Sequence, residues 1–360
     1  KYENLTEMII LFLKDIYDKK YHHAIFNEYI KQCIYNKLMN NKSDEYSIYR
    51  TPLQVLKNTK QMEYLKTVPQ PAQRTKEWYE FRRKRLTASD VGTALGKNPY
   101  SSIKKLLLKK CGVEDAFRTN KACQHGIKYE DVTIQIYEKR KSCKIVEYGC
   151  IAHPTIEYLG ASPDGITDNG IMIEIKNPFS RTIIGLPQEY YWIQMQIQLE
   201  VCNLDICQFV ETTIKEYSTK IEFLNDCIQD IEYNQMMLTN TGLEKGICIE
   251  IINKKTKEIS YQYSSLNLLK NNIDNWINDS IKCYNQTIYK INIQYWYLVI
   301  WSDITISRDK RWFSNNLSKL TDFWNQVIEY RKDDKYKTLI KPKKKKITKY
   351  NQGDCMIMSD

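Results

Sequence analysis

The stretch that most constrains this chain runs from Ala161 to Lys176. It reads Ala-Ser-Pro-Asp-Gly-Ile, then a short polar turn, then Ile-Met-Ile-Glu-Ile-Lys. The second half alternates, so a strand places Ile171, Ile173 and Ile175 on one side and Met172, Glu174 and Lys176 on the other. Glu174 and Lys176 then share a face, about 7 Å apart along the strand. Asp164 sits between Pro163 and Gly165, where the chain must bend between two strands. An antiparallel return over the ten residues that separate them brings Asp164 next to Glu174. Two carboxylates and a lysine converge at one strand end. Converging acidic oxygens suit a hard divalent cation such as magnesium, and the lysine can orient or deprotonate a water. The same letters also describe a surface hairpin with an ordinary charged face, and spacing alone does not choose between the two.

The chain has 360 residues, 42% of them hydrophobic and 27% charged, the balance of a soluble globular protein of one or two domains. A chain that begins at Lys1 is expected to start inside a longer open reading frame. Met8–Leu13 is far shorter than the ~18 to 20 apolar residues of a membrane span, and no small-residue cleavage site follows it. No membrane association and no secretion are therefore expected. Eleven scattered cysteines without a Cys-x-x-Cys pair point to reduced thiols inside a cell, and against zinc ribbons or cysteine-bound iron–sulfur clusters. The net charge of +11 is local. Six lysines lie in Lys341–Lys349, and Arg74–Arg85 holds six basic residues against two acids, which leaves the rest near neutral. Phosphate contact at one site plus a basic tail fits that pattern, as do solvated lysines without a partner.

In chain order, residues 1–60 carry helical periodicity and read as an appendage, with a lone His22-His23 pair that lacks a third metal ligand. Pro69 and Pro71 introduce the main domain. Arg74–Arg85 reads as an amphipathic helix, and Ser89 or Asp90 as the N-cap of a second helix closed by Gly96. A hydroxyl at a helix start beside arginines makes a phosphate pocket or a simple cap. From Gly126 to Arg140 a helix places Ile127, Glu130, Ile134 and Tyr137 on one stripe, so Glu130 is either a buried third acid or a solvent-reaching edge residue. Strands are expected at Cys143–Ala152, Glu157–Ser162, Ile171–Lys176 and Ile206–Thr213. Helices are expected after Pro187, carrying Gln194 and Gln198 one turn apart, and from Thr219 to Leu238. Beyond Gly242 come a β-hairpin, a helix, a strand at Ile293–Ile304 and a helix with Leu317, Leu320, Phe323, Trp324 and Val327. This is a mixed α/β order with its acids at one sheet edge.

These motifs together resemble the lambda-type exonucleases, in the branch called YqaJ-like viral recombinases. They are Glu-Trp-x-x-x-Arg82 with Leu-Thr-Ala-Ser89-Asp, Gly-x-x-x-Glu130, Ser-Pro-Asp164-Gly, Glu174-Ile-Lys176, and Tyr191-x-x-Gln194-x-Gln196. They follow the family's order over residues 74–213. Arg308-Asp-x-x-Trp-Phe with the later Phe323-Trp324 is similar to an extension in large-DNA-virus members.

The resemblance implies a PD-(D/E)xK, restriction-endonuclease-like α/β core at 61–240. A C-terminal α/β extension at 241–335 and a basic flexible tail at 336–360 complete the organisation. It implies that Asp164, Glu174 and the Ile175 carbonyl hold one magnesium (with manganese able to substitute) and that Glu130 with Asp164 completes a second site. Lys176 would activate or position the attacking water and Gln194 would steady the site. Arg82 and Ser89, with Arg181 and Arg85, would hold the 5′-phosphate. Asn177 departs from the family, whose members often carry cysteine there. The implied activity is magnesium-dependent hydrolysis of DNA, as a 5′-to-3′ exonuclease on double-stranded ends in viral recombination or replication. An endonuclease of the same fold and a catalytically silent DNA-binding protein are the alternatives. A single-strand annealing protein, a ring-shaped (trimeric) homo-oligomer, and a host-cytoplasmic or viral replication compartment complete the expectation.

Overall fold

The computed structural model describes residues 52–113, 121–228 and 236–340. The expectations for most of the N-terminal appendage, His22-His23 included, and for the Lys341–Lys349 tail lie outside these residues. Among the described residues no helix is long and apolar enough to cross a membrane.

A seven-stranded sheet in the order β2-β5-β6-β7-β10-β8-β9 organises the fold, with a three-stranded sheet β1-β4-β3 beside it. The large sheet consists of β2 (Ile145–Val146), β5 (Gly165–Thr167), β6 (Met172–Lys176), β7 (Ile206–Glu216), β8 (Lys245–Asn253), β9 (Ile259–Tyr263) and β10 (Tyr289–Ser307). The small one is β1 (Leu86–Thr87), β3 (Ile151–Ala152) and β4 (Leu159–Ala161). β5 and β6 are antiparallel, β6 and β7 are parallel, and β10 pairs antiparallel with both β7 and β8. The alternation in β6 works as its letters dictate. Ile171, Ile173 and Ile175 join Val210 and Tyr137 in one buried cluster, while Met172 joins Cys207 and Phe209 in another on the opposite face.

The parallel β6–β7 pair needs a crossover, and helix α6 supplies it. Numbered in chain order, the helices that matter are α1 (Pro52–Thr67), α2 (Lys76–Arg83), α3 (Ala88–Ala94), α4 (Ile103–Lys110), α5 (Lys121–Lys141) and α6 (Glu189–Cys202), followed by α7 (Lys220–Asn225), α8 (Ile273–Ile281) and α9 (Lys310–Arg331). α6 is buried almost all round, with Trp192, Ile193, Met195, Ile197, Leu199 and Val201 all inside, because it lies within the protein rather than on its surface. Its two-sided packing is tight: a Cβ on Gly92 of α3 would meet the Tyr190 Cβ at 2.8 Å. α1 runs through residue 60, and its Met62 and Leu65 are buried in the same cluster as Met172 and Phe209.

Four expectations change. The single strand at Cys143–Ala152 is two short strands in different sheets, β2 and β3. Between them Gly149 runs so close to the preceding loop that an added Cβ would sit 2.1 Å from the Pro71 carbonyl oxygen, and Cys150 N donates to that same oxygen at 3.2 Å. The strands of this stretch therefore divide between the two sheets, since β4 pairs with β1 and β3 while β5 pairs with β2 and β6. The long helix from Thr219 stops at Asn225, and Leu238 bridges Glu244 in an extended pairing. The α5 stripe is also shifted. Tyr129, Val132, Thr133 and Ile136 form the buried face, and Ile127 is exposed. Finally, α3 is capped at Thr87, whose hydroxyl donates to the Asp90 carboxylate at 2.8 Å, so Ser89 lies in the first turn.

Gly149→Ala is expected to lower the unfolding free energy by about 2 kcal/mol, the scale of overpacking a tight contact. Gly126→Ala, in α5 with nothing within 4 Å of the added Cβ, should be neutral or stabilising by up to about 1 kcal/mol. Urea denaturation of both variants checks the pair.

Candidate active site

The β5–β6 register decides where the acids fall. Gly165 is paired with Ile173 and Ile166 with Met172, so one step further Asp164 faces Glu174. Ile175 N donates to Asp164 Oδ2 at 2.7 Å, which closes the strand end. Glu174 is fully buried. Its Oε1 accepts from Lys176 Nζ and, at 2.7 Å, from Gln194 Nε2. Its Oε2 accepts from Gln198 Nε2, also at 2.7 Å. One turn of α6 thus holds both oxygens of one carboxylate, and the i, i+4 spacing of Gln194 and Gln198 is the reason. Gln196 faces elsewhere: it bonds Ser307 O and Asp309 N at the β10–α9 junction. Lys176 also lies 5.1 Å from the centroid of the Tyr191 ring.

Electrostatics follow from this enclosure. Burial pushes the Asp164 carboxyl well above the ordinary range. The charges of Glu174 and Glu130 push it further, against Lys176 and the Ile175 N–H. Burial pulls Lys176 down, but Glu174 and Asp164 outweigh it and hold the ammonium above the usual lysine value. The lysine is therefore fully charged here at neutral pH.

Glu130 is partly exposed and pairs with Arg74 at 3.1 Å. Burial raises its pKa, Arg74 and Lys176 oppose this, and Asp131 and Glu174 add to the rise, so it shares the field of the acidic pair. Asn177 fixes the helix that carries it. Its Oδ1 accepts from Thr133 Oγ1 of α5 at 2.7 Å and from Thr212 Oγ1 of β7, and its Nδ2 donates to Gly126 O at 3.4 Å. The departure at Asn177 therefore builds a polar tie between α5 and the β6–β7 pair that a thiol, a far weaker hydrogen-bonding group, would not reproduce.

The expected phosphate residues divide. Arg82 lies over the Trp78 ring at 4.1 Å and donates to Ser89 Oγ at 3.0 Å and to Ser162 Oγ at 3.4 Å. Trp78 Nε1 donates to the same Ser162 hydroxyl at 3.1 Å, two residues before Asp164. Gln198, besides holding Glu174, donates to Ser162 O at 3.3 Å, so the arginine and the acids share one network. Beneath it Lys110, only 2% exposed, pairs with Asp90 at 2.7 Å and donates to Arg82 O and Arg85 O. Arg85 instead turns back along α2, with its guanidinium 3.7 Å from the centroid of the Phe81 ring. Arg181 donates to Glu211 Oε1 and to Thr182 O. Gln198 is the residue beside the acids that sequence reasoning missed as a site group, and Glu211 is the buried partner of Arg181 that it did not single out. For Gln198 the signal was its spacing from Gln194. For Glu211 it was an acid at a buried, same-face position of a strand.

The donor set has the chemistry of a hard-cation site, namely two carboxylates on facing strand positions, one of them fully buried, whose proximity raises the protonation of Asp164. Among the described residues no three His, Cys, Asp or Glu side chains are gathered closely enough to hold an ion on their own. The remaining oxygens would come from the main chain, such as the Ile175 carbonyl, or from water.

Residues 77–205 match the model of the YqaJ-like viral recombinase domain, and that stretch holds Arg82, Ser89, Glu130, Asp164, Glu174, Lys176 and Gln194. The chain is 30% identical over 348 aligned residues to an uncharacterized protein of Acanthamoeba polyphaga mimivirus, covering 87% of this chain and 63% of that protein. It is 29% identical over 157 residues to a protein of African swine fever virus, covering 35% of this chain and 45% of the other. The chain thus spans less than two thirds of the length of these relatives. Among solved structures it is similar to an alkaline exonuclease from Laribacter hongkongensis (19% identity, TM-score 0.42, 74% of this chain and 98% of that one). It is also similar to a phage related exonuclease from Haemophilus somnus (12% identity, TM-score 0.36, 71% and 96%).

A buried carboxyl with a raised pKa contributes stability in full below its unfolded value and loses it as pH rises through the folded value. In EDTA, therefore, Asp164→Asn should gain melting temperature relative to the parent as pH goes from 5 to 8. Thermal scans of both proteins across that range test it. A difference that stays constant with pH would contradict the placement of Asp164.

Proposed function

We propose that this protein is a magnesium-dependent deoxyribonuclease, and specifically a 5′-to-3′ exonuclease acting on double-stranded DNA ends in viral recombination or replication. The observation that carries the reading is the junction of two groups through Ser162. On one side stand the buried acids with Lys176, on the other Arg82 and Ser89. The YqaJ-like domain supports it.

Asp164, Glu174 and the Ile175 carbonyl would hold the magnesium, and manganese would substitute. A cation there would supply a nucleophilic water near neutral pH and charge stabilisation on the phosphate. Gln194 and Gln198 keep the Glu174 carboxylate in one orientation, which removes the reorganisation that a free side chain would need. Lys176, held charged between the acids, orients the attacking water and stabilises the charge that develops beside it. Arg82 and Ser89 present a guanidinium fork and a hydroxyl to a terminal phosphate, which positions the strand without reading its sequence. Glu130 would reach a second cation only by leaving Arg74. Arg85 would support the phosphate site indirectly, through α2. A ring-shaped homo-oligomer, a single-strand annealing partner and a location in the host cytoplasm or a viral replication compartment extend the same proposal.

Linear duplex DNA labelled at either end, with and without a 5′-phosphate, tests it in magnesium and in EDTA, with closed circles alongside. The expected result is magnesium-dependent shortening from the 5′ end that spares circles. Lys176→Ala should be slower by about 10²- to 10³-fold, the usual scale for losing a preorganised donor at the reacting centre. Cutting of circles would replace the exonuclease by an endonuclease, and binding without cleavage in any metal would remove the enzyme.

A further inference from the structure

We infer that Glu211 is a positioning residue of this site, the buried counter-charge that fixes the Arg181 guanidinium beside Lys176 for contact with a DNA backbone phosphate. The inference rests on the deoxyribonuclease reading, because it needs a phosphodiester substrate at Lys176.

Three observations carry it. Glu211 is the parallel register partner of Lys176 and shares its face of the sheet. Its side chain is 1% exposed, and Oε2 has no hydrogen-bond partner among the described residues, while Oε1 accepts from Arg181 Nη2. Arg181 in turn keeps about a quarter of its side chain accessible (25%) and donates from Nη1 to Thr182 O, so the fork is held from both ends yet still reaches solvent. Burying a carboxylate is costly, and burying one that uses a single oxygen on a partly exposed arginine is poor economy for stability alone. It makes sense as preorganisation. A loop arginine on a long flexible stem would otherwise lose its rotamer freedom only when the substrate arrives.

The position of Glu211 gives a test whose sign separates the two roles. Removing a negative charge near a DNA-binding cleft should tighten binding by electrostatics alone. If Glu211 acts by holding Arg181, its loss should weaken binding instead. Duplex binding is measured in EDTA, so that no cleavage intervenes, with a phosphorylated short duplex as the probe. Glu211→Gln is expected to weaken it by about tenfold, the scale of one well-placed charged hydrogen-bonding group. Arg181→Ala should lose about as much and lower the salt dependence by about one phosphate contact. Arg181→Lys, which keeps the charge but not the fork, should resemble Arg181→Ala. The double variant should bind no more weakly than Arg181→Ala, since both changes remove one element. Tighter or unchanged binding in Glu211→Gln overturns the inference, and so do additive losses in the double variant. If Glu211→Gln does not fold, Arg181→Lys decides: binding at the parent level overturns the inference. A parent protein that neither binds this duplex nor cleaves it in magnesium removes the deoxyribonuclease reading, and the inference with it.

Discussion

The site depends on a register. Gly165 opposite Ile173 sets Asp164 against Glu174, and a slip of one residue would turn Glu174 and Lys176 to the face lined by Ile173 and Ile175. That face is filled with apolar side chains, so the slip would bury charges in hydrocarbon and set isoleucines against the glutamines of α6. The hydrophobic alternation of β6 therefore places the chemistry as well as the core. What remains is the cost of a fully buried glutamate, and α6 meets it with two glutamines on consecutive turns while Lys176 adds the opposite charge. The crossover helix is thus a part of the site as much as a link between parallel strands.

Much of this was legible in the letters, and the reasons are local. The Ile-Met-Ile-Glu-Ile-Lys alternation has a single period, flanked by turn residues, and the facing of Asp164 and Glu174 followed from counting. The i, i+4 glutamines were visible too, although only the structure shows that both hold one carboxylate. What stayed hidden depends on contacts distant in sequence. Nothing near Gly149 tells that Pro71 passes against it, and that contact is why one expected strand became two in different sheets. The stripe on α5 misled because Ile127 looks like core. The face is set instead by what lies opposite, where Tyr129 donates to Glu216 and Thr133 to Asn177. Glu211 was hidden for the same reason, since its partner Arg181 is thirty residues away in a loop without periodicity.

The basic side of the cleft has its own foundation. Asp90 and Lys110 form a buried ion pair, and Lys110 also donates to the main-chain oxygens of Arg82, in the last turn of α2, and of Arg85 just beyond it. Burial lowers the Lys110 pKa to about 8 although Asp90 opposes it. From the other side Arg331 of α9 donates to Lys110 O and to Arg83 O. The helix that bears Arg82 is therefore held at its C-terminal end by two cations bonded to its backbone, one of them from the far end of the chain. Its N-terminal end is fixed separately, by Thr75 accepting from Trp78 N.

The place of β10 in the large sheet has a consequence for how the chain comes to be folded. β10 lies between β7 and β8, pairing with eleven residues of β7 along almost its whole length. During synthesis the strand that carries Glu211 emerges about eighty residues before this neighbour. Until the neighbour arrives, β7 presents a long unpaired hydrogen-bonding edge, the kind of surface that other chains add to. Translation order and sheet order disagree here. The half-made protein is therefore the state in which this sheet is most open to strangers, and the last third of the chain serves as its shield.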